Sequence, residues 1–248
     1  MSKTTRGRIA TDDLPFFRTL TAAGRANLMQ SAIRHKVAPG TVLFEQGELP
    51  NFQHIVVSGT VQLFGRSNEG REVLIETVEA PDLVIPAAVT TGLPYLMQAR
   101  VPESSQLILL PAQAFRAAIA TEPALAQEVI GSLAGQFRRM VRQIKNLKLR
   151  SSTQRVGCYF LSMSEKQGTP DRAILPYEKN LIASELGMTR ESFSRALSSL
   201  QQKGIAVEGN TIIILDPDLL AETCMPDPLI DGRDPRPYAA TGAIAGVQ

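Results

Sequence analysis

Cysteine and histidine are scarce in this chain of 248 residues, with two of each. Cys158 and Cys224 lie far apart, in no CxxC pair and without histidine neighbours. That excludes a disulfide-stapled scaffold and leaves no metal-cluster signature. Long apolar runs are missing as well. No segment approaches the roughly 20 apolar residues that span a bilayer, and MSKTTRGRIATDDLPFF at the start has no apolar stretch of signal-peptide length. These features lead to the expectation of a cytoplasmic protein with no membrane partner. The sequence also lacks GxSxG, a Walker loop, HExxH and paired His/Cys clusters, so no enzyme is expected. Hydrophobic residues make up 44% and charged residues 20%, which suits one large or two small globular domains.

Charge of either sign is nearly balanced overall, at +2, but not along the chain. Residues 138 to 203 hold 13 Lys and Arg against 5 Asp and Glu, a net of +8, and the remainder carries −6. A basic block of this kind is the footprint of phosphate contact, and a solvated helix face is its bland alternative. What the block contains favours nucleic acid. KNLIASELGMTRESFSRALSSLQQK, residues 179 to 203, has the pattern of a helix-turn-helix. Leu181, Ile182, Ala183 and Leu186 are the apolar positions of a short first helix. Gly187 breaks it, since glycine tolerates positive φ, and Thr189 can cap the next helix. Phe193, Ala196, Leu197 and Leu200 then recur at i, i+3, i+4 and i+7, which gives one buried stripe. Arg190, Glu191, Ser194 and Arg195 occupy the opposite face. In this motif the start of the second helix enters the major groove, where an Arg fork can hold guanine O6 and N7 and a Glu can accept from cytosine N4. Thr189, Arg190, Glu191, Ser194 and Arg195 are therefore the candidate contacts to double-stranded DNA.

Elsewhere the texture changes twice. Residues 15 to 35 suggest short helices on Phe16, Phe17, Leu20, Leu28 and Ile33. From Val37 to Leu110, short β-branched runs alternate with Gly40, Gly47, Gly59 and Gly70, as in a small barrel or jelly roll. Residues 122 to 150 read as one long helix. Ile130, Phe137 and Ile144 are seven apart, and so are Leu133, Met140 and Leu147, which is an a/d register. Such a seam meets an identical helix or packs on its own barrel; pairing across two half-sites favours the homodimer. Ser151 or Ser152 caps a helix near 153 to 166. A hairpin over Ile205–Leu215 would form a wing, and the tail from 219 to 248, rich in Pro, Gly and Ala near its end, is expected to be disordered. The expected class is α+β: a sensor barrel over 1–121, a dimerisation helix over 122–150 and a winged helix-turn-helix over 151–218.

This order resembles the CRP/FNR family of bacterial transcription regulators. The residues that carry the resemblance are PGTVLFEQGE at 39 to 48, IVVSGTVQLFGRSNEGRE at 55 to 72, NLKLRSSTQRVGCYFLSM at 146 to 163 and LGMTRESFSRALSSLQQKGI at 186 to 205. The resemblance implies a cyclic-nucleotide-binding-like jelly roll, a homodimer on a pseudo-palindrome and contact with RNA polymerase. It also implies an effector pocket at Tyr95, Leu96, Met140, Val141 and Ile144. Cyclic-AMP-binding members carry Gly-Glu-Leu and Arg-Ser where this chain aligns Val84-Ile85-Pro86 and Tyr95-Leu96, and a Thr-Ser pair where it has Met140-Val141. A phosphate buried there without a cation or donors would be costly, so the expected effector is not cyclic AMP. Iron–sulfur members use cysteines near the N-terminus, and this chain has none before Cys158. No cofactor is expected. A haem on His35 or His54, serving a gas or redox sensor, stays open as the alternative, as does redox chemistry at Cys158 in place of a buried inert thiol. Members with Glu-x-x-Ser-Arg on the second helix read TTGAT-like half-sites, and those with Arg-Glu-x-x-x-Arg read TGTGA-like ones. This chain has both sets. Ser194 favours the first, and the resemblance implies a palindrome related to TTGAT-N4-ATCAA with relaxed preference at the outer base.

Overall fold

A computed structural model describes residues 14–18 and 20–232. They fall into two compact units that divide inside a long helix, one reaching Gly135 and the other starting at Gln136.

The first unit opens with helices α1 (Pro15–Arg18) and α2 (Ala22–Gln30). Strands β1 (Ile33–Val37), β2 (Val42–Phe44), β3 (Phe52–Ser58), β4 (Thr60–Arg66), β5 (Glu72–Glu79) and β6 (Asp82–Val84) follow. Helix α3 (Pro86–Thr91), strands β7 (Gln98–Arg100) and β8 (Ser105–Pro111), and helix α4 (Ala112–Thr121) complete it before α5 (Pro123–Leu149). The strands form two antiparallel four-stranded sheets, β1-β8-β3-β6 and β2-β7-β4-β5, in the jelly-roll arrangement. Alternation along β3 divides the core. Val56 faces the interior with Phe44, Leu63, Tyr95 and Leu107, while Ile55 and Val57 lie under the helices with Phe17, Phe115, Leu125 and Val129. Ile33 belongs to β1 and not to a helix, because its pairing with Leu109 draws the segment into the sheet. Ile85 stands at φ +42, a strained setting for a β-branched residue, at the N-cap of α3.

The second unit carries the end of α5, then α6 (Ser152–Gln167), β9 (Arg172–Ile174), α7 (Lys179–Glu185), α8 (Arg190–Gln201), β10 (Ile205–Glu208), β11 (Thr211–Ile214), α9 (Pro217–Cys224) and α10 (Pro228–Asp231). Ser151 and Gln154 form a reciprocal capping box that starts α6. Strands β10 and β11 make the wing hairpin, and β9 adds a third strand against β11. The core gathers Val156, Phe160, Ile182, Phe193, Leu200 and Ile212.

Two sequence expectations change here. The folded chain does not stop at 218, because α9 continues and buries Leu220 and Cys224 in this core. Asp216 and Asp227 cap α9 and α10, each with a proline in the first turn, so the prolines begin helices and do not mark a loose tail. The expected disorder is thus corrected for 219–232; residues 233–248 lie outside the described ones. Close packing also explains a glycine inside α6: a β-carbon on Gly157 would meet Cys224 Sγ at 2.0 Å.

Candidate nucleic-acid interface

Helices α7 and α8 meet at a turn held from three sides. Gly187 has φ +62, a left-handed conformation that favours glycine, and a β-carbon there would crowd Leu147 Cδ2 of α5. Arg155 of α6 reaches the turn from below, donating through Nη1 to the carbonyls of Leu186 at 2.7 Å and Gly187 at 3.3 Å. The N–H of Met188 donates to the carbonyl of Ala183 and closes the end of α7. The hold of Arg155 on the turn carries no local sequence signal, since the carbonyls it reaches are 31 and 32 residues away.

Thr189 then caps α8, its Oγ1 accepting from the N–H of Ser192 at 3.2 Å. Phe193, Ala196 and Leu200 are buried, and Thr189, Arg190, Glu191, Ser194 and Arg195 are all exposed on the other side. The structure thus brings the five sequence-derived contact residues onto one solvent face of one helix. Its own backbone N–H, and then the Thr189 hydroxyl, hold the Glu191 carboxyl below its ordinary range, so it is an acceptor at neutral pH. Arg195 Nη2 donates to Ser192 Oγ at 3.2 Å, which steadies one arm of its fork. An acceptor and two guanidinium groups within six residues can meet cytosine, guanine and phosphate.

On α5, Ile130, Phe137, Met140, Val141, Ile144 and Leu147 are exposed; Phe137 is 60% accessible. Leu133 is different. It is partly buried against the core around Leu125 and Val129.

The residues aligned with an effector pocket do not behave alike. Tyr95 is buried, its ring stacked on Phe44 with centroids 3.6 Å apart and its hydroxyl donating to the Phe52 carbonyl at 3.2 Å. Burial, and then the nearby Glu48, push its phenol up to about 12, so it stays neutral. Leu96 turns to solvent at 82% exposure and lines no interior, a correction to its expected place. Met140, Val141 and Ile144 are exposed in the second unit. His35 lies exposed on β1, whereas His54 is buried beside Phe44, with Nδ1 lacking a hydrogen-bond partner. Burial lowers the His54 pKa to about 4. It also pushes the thiols up, Cys158 to about 12 and Cys224 to about 11, a profile of inert rather than reactive cysteine.

Residues 34–122 match the cyclic nucleotide-binding domain and residues 154–223 the Crp-like helix-turn-helix domain. The chain belongs to the CRP/FNR family. The CRP-like cAMP-activated global transcriptional regulator of Mycobacterium tuberculosis is 26% identical over 187 residues, which is 73% of this chain and 84% of that protein. The fumarate and nitrate reduction regulatory protein of Escherichia coli K12 is also 26% identical, over 191 residues covering 75% and 76%. FixK2 of Bradyrhizobium japonicum shares the fold, with a TM-score of 0.64, 20% identity and coverage of 77% of this chain and 96% of its own. As a CRP/FNR protein with a winged helix-turn-helix, the chain is a DNA-binding transcription regulator. None of its described helices is long and apolar enough to cross a membrane.

Proposed function

We propose that this CRP/FNR regulator acts in the cytoplasm as a homodimer, joined along α5, and reads a palindrome related to TTGAT-N4-ATCAA. The exposed face of α8 is the observation that carries the reading. Glu191 and Arg195 would take the cytosine and guanine of a TGA/TCA core, Ser194 would favour the TTGAT-like half-site, and Thr189 and Arg190 would touch backbone or an outer base. The apolar stripe Ile130, Phe137, Met140, Ile144 and Leu147 supports pairing with an identical helix, since a monomer would leave it in water. Pairing would set the two α8 helices about one helical turn apart. RNA polymerase is the expected protein partner, and no catalytic activity is proposed.

The effector is not cyclic AMP in this reading. In the alignment with cyclic-AMP-binding members, Ile85 and Tyr95 take the positions of the carboxylate and guanidinium that hold ribose and phosphate, and Tyr95 fills the interior beside Phe44. The relative from M. tuberculosis is named as cAMP-activated, so the two proteins would differ in this respect. Selection from random double-stranded DNA tests the function. A TGA/TCA palindrome is expected, and Arg195→Ala should lose about 1–3 kcal/mol on it and relax preference at one guanine. Enrichment of no palindrome would overturn the assignment.

A further inference from the structure

We propose that residues 225–232 form a strap across the joint between α5 and α6, and that Asp231 is a positioning residue for the DNA-reading helix. The proposal rests on the DNA-reading function above.

One end of the strap is anchored on α6. Cys224, fully buried, sits against Gly157. Met225 then reverses the chain at φ +49. The next residues close on themselves, because Asp227 Oδ1 accepts from the N–H of Leu229 and Asp231 Oδ2 accepts from the N–H of Asp227, both at 2.8 Å.

The other end grips the last turns of α5. Arg150 donates to Asp231 through both terminal nitrogens, with Nη1 to Oδ1 at 2.7 Å, and also to Asn146 Oδ1 at 3.2 Å. Lys145 Nζ lies 3.6 Å from Asp227 Oδ2, and Arg142 Nε donates to the Leu229 carbonyl at 3.3 Å. The Arg150 side chain is only 6% exposed, so this is not a solvent-screened surface pair. A buried, two-pronged guanidinium–carboxylate pair tolerates one geometry, and removing one partner leaves a charge unmatched.

Arg150 is the residue immediately before the Ser151 cap of α6. Fixing it fixes the angle between α5 and α6, and α6 carries α8 packed against it. A dimer that reads two half-sites needs that angle, because a swing at the joint moves each α8 away from its groove. The strap therefore acts on the spacing between half-sites and not on base contacts.

The test uses the full chain, Asp231→Asn, Asp231→Glu, a chain ended after Met225 and a control ended after Gly232. Affinity is measured on the selected palindrome, on versions with the spacer changed by one base pair, and on a single half-site. Ending the chain after Met225 removes the strap and also frees Arg150 to solvent, so it does not share the folding risk of Asp231→Asn. Asp231→Asn and the chain ended after Met225 should lose about tenfold on the palindrome and much less on the single half-site, and so discriminate poorly between spacers. The Gly232 control should stay near the parent, and Asp231→Glu, which keeps the charge but lengthens the arm by one methylene, should fall between the parent and Asp231→Asn with the same spacer dependence. Unchanged affinity and spacer preference in both strap variants would overturn the proposal. So would an equal loss on every DNA, which means fold stability alone. A parent chain that binds no palindrome would instead overturn the DNA-reading function.

Discussion

The guanidinium of Arg155 and the carbonyl of Leu186 meet at 2.7 Å, tying α6 to the turn between α7 and α8 across 31 residues of sequence. A helix end normally leaves its last carbonyls to water or to a cap. Here a cation from another helix takes them. Arg155→Ala should lower stability by about 1–3 kcal/mol, since part-buried carbonyls lose a charged donor. Urea unfolding followed by circular dichroism measures it, and Arg155→Lys should recover part of the loss. An unchanged midpoint would mean that Gly187 and the Met188 N–H hold the turn unaided.

Ile144 is exposed toward the C-terminal end of the apolar stripe on α5. Ile144→Glu would set like charges against each other in a paired seam. Dimer dissociation should rise about tenfold or more, and binding to the palindrome should fall with it. Sedimentation that shows an unaltered dimer would remove α5 as the interface.

His54 gives the barrel a pH dependence. Its pKa is about 4 when folded, against 6.5 for the ordinary side chain, because burial disfavours the imidazolium. Between those values the unfolded chain binds the extra proton, so stability is complete above pH 6.5 and falls as pH drops toward 4. The slope from this group alone is at most roughly 1.4 kcal/mol per pH unit. Thermal unfolding from pH 7 to 4.5 should show it, and His54→Gln should flatten the profile. Equal slopes in the two proteins would assign the dependence to other groups.

Cyclic AMP should give no saturable heat in calorimetry and no gain in affinity for the palindrome, because Ile85 and Tyr95 offer its ribose and phosphate no charge. Tight binding coupled to stronger DNA binding would reverse the reading of the barrel.

Sequence order reveals what is local. Thr189 before a stripe at i, i+3 and i+4 marks α8 to within a residue, and α5 is legible because 27 residues pass without a break. Strands whose burial is one-sided or brief are not. Ile33-Arg34-His35-Lys36-Val37 buries only Val37, and Arg172-Ala173-Ile174 only Ala173, so neither shows an apolar run. Heptad spacing puts Leu133 in register with the stripe, but it does not show that this residue also packs partly against the chain's own barrel core. Tyr95 and Leu96 are neighbours that point opposite ways, which depends on backbone geometry that no side-chain pattern records. The clasp of Asp227 and Asp231 joins residues about 80 apart to α5 and leaves no trace in either segment.

Leu147 belongs to two arrangements at once. It is exposed on the apolar stripe, and its Cδ2 occupies the space beside Gly187 that any larger residue there would need. A truncation at 147 would therefore perturb subunit pairing and loosen the reading motif in the same stroke, and a single affinity would merge the two. Measuring DNA binding at protein concentrations well above the dimer constant removes the first contribution. Whatever deficit persists there belongs to the turn, which makes this one leucine the natural place to ask whether assembly and recognition are energetically separable.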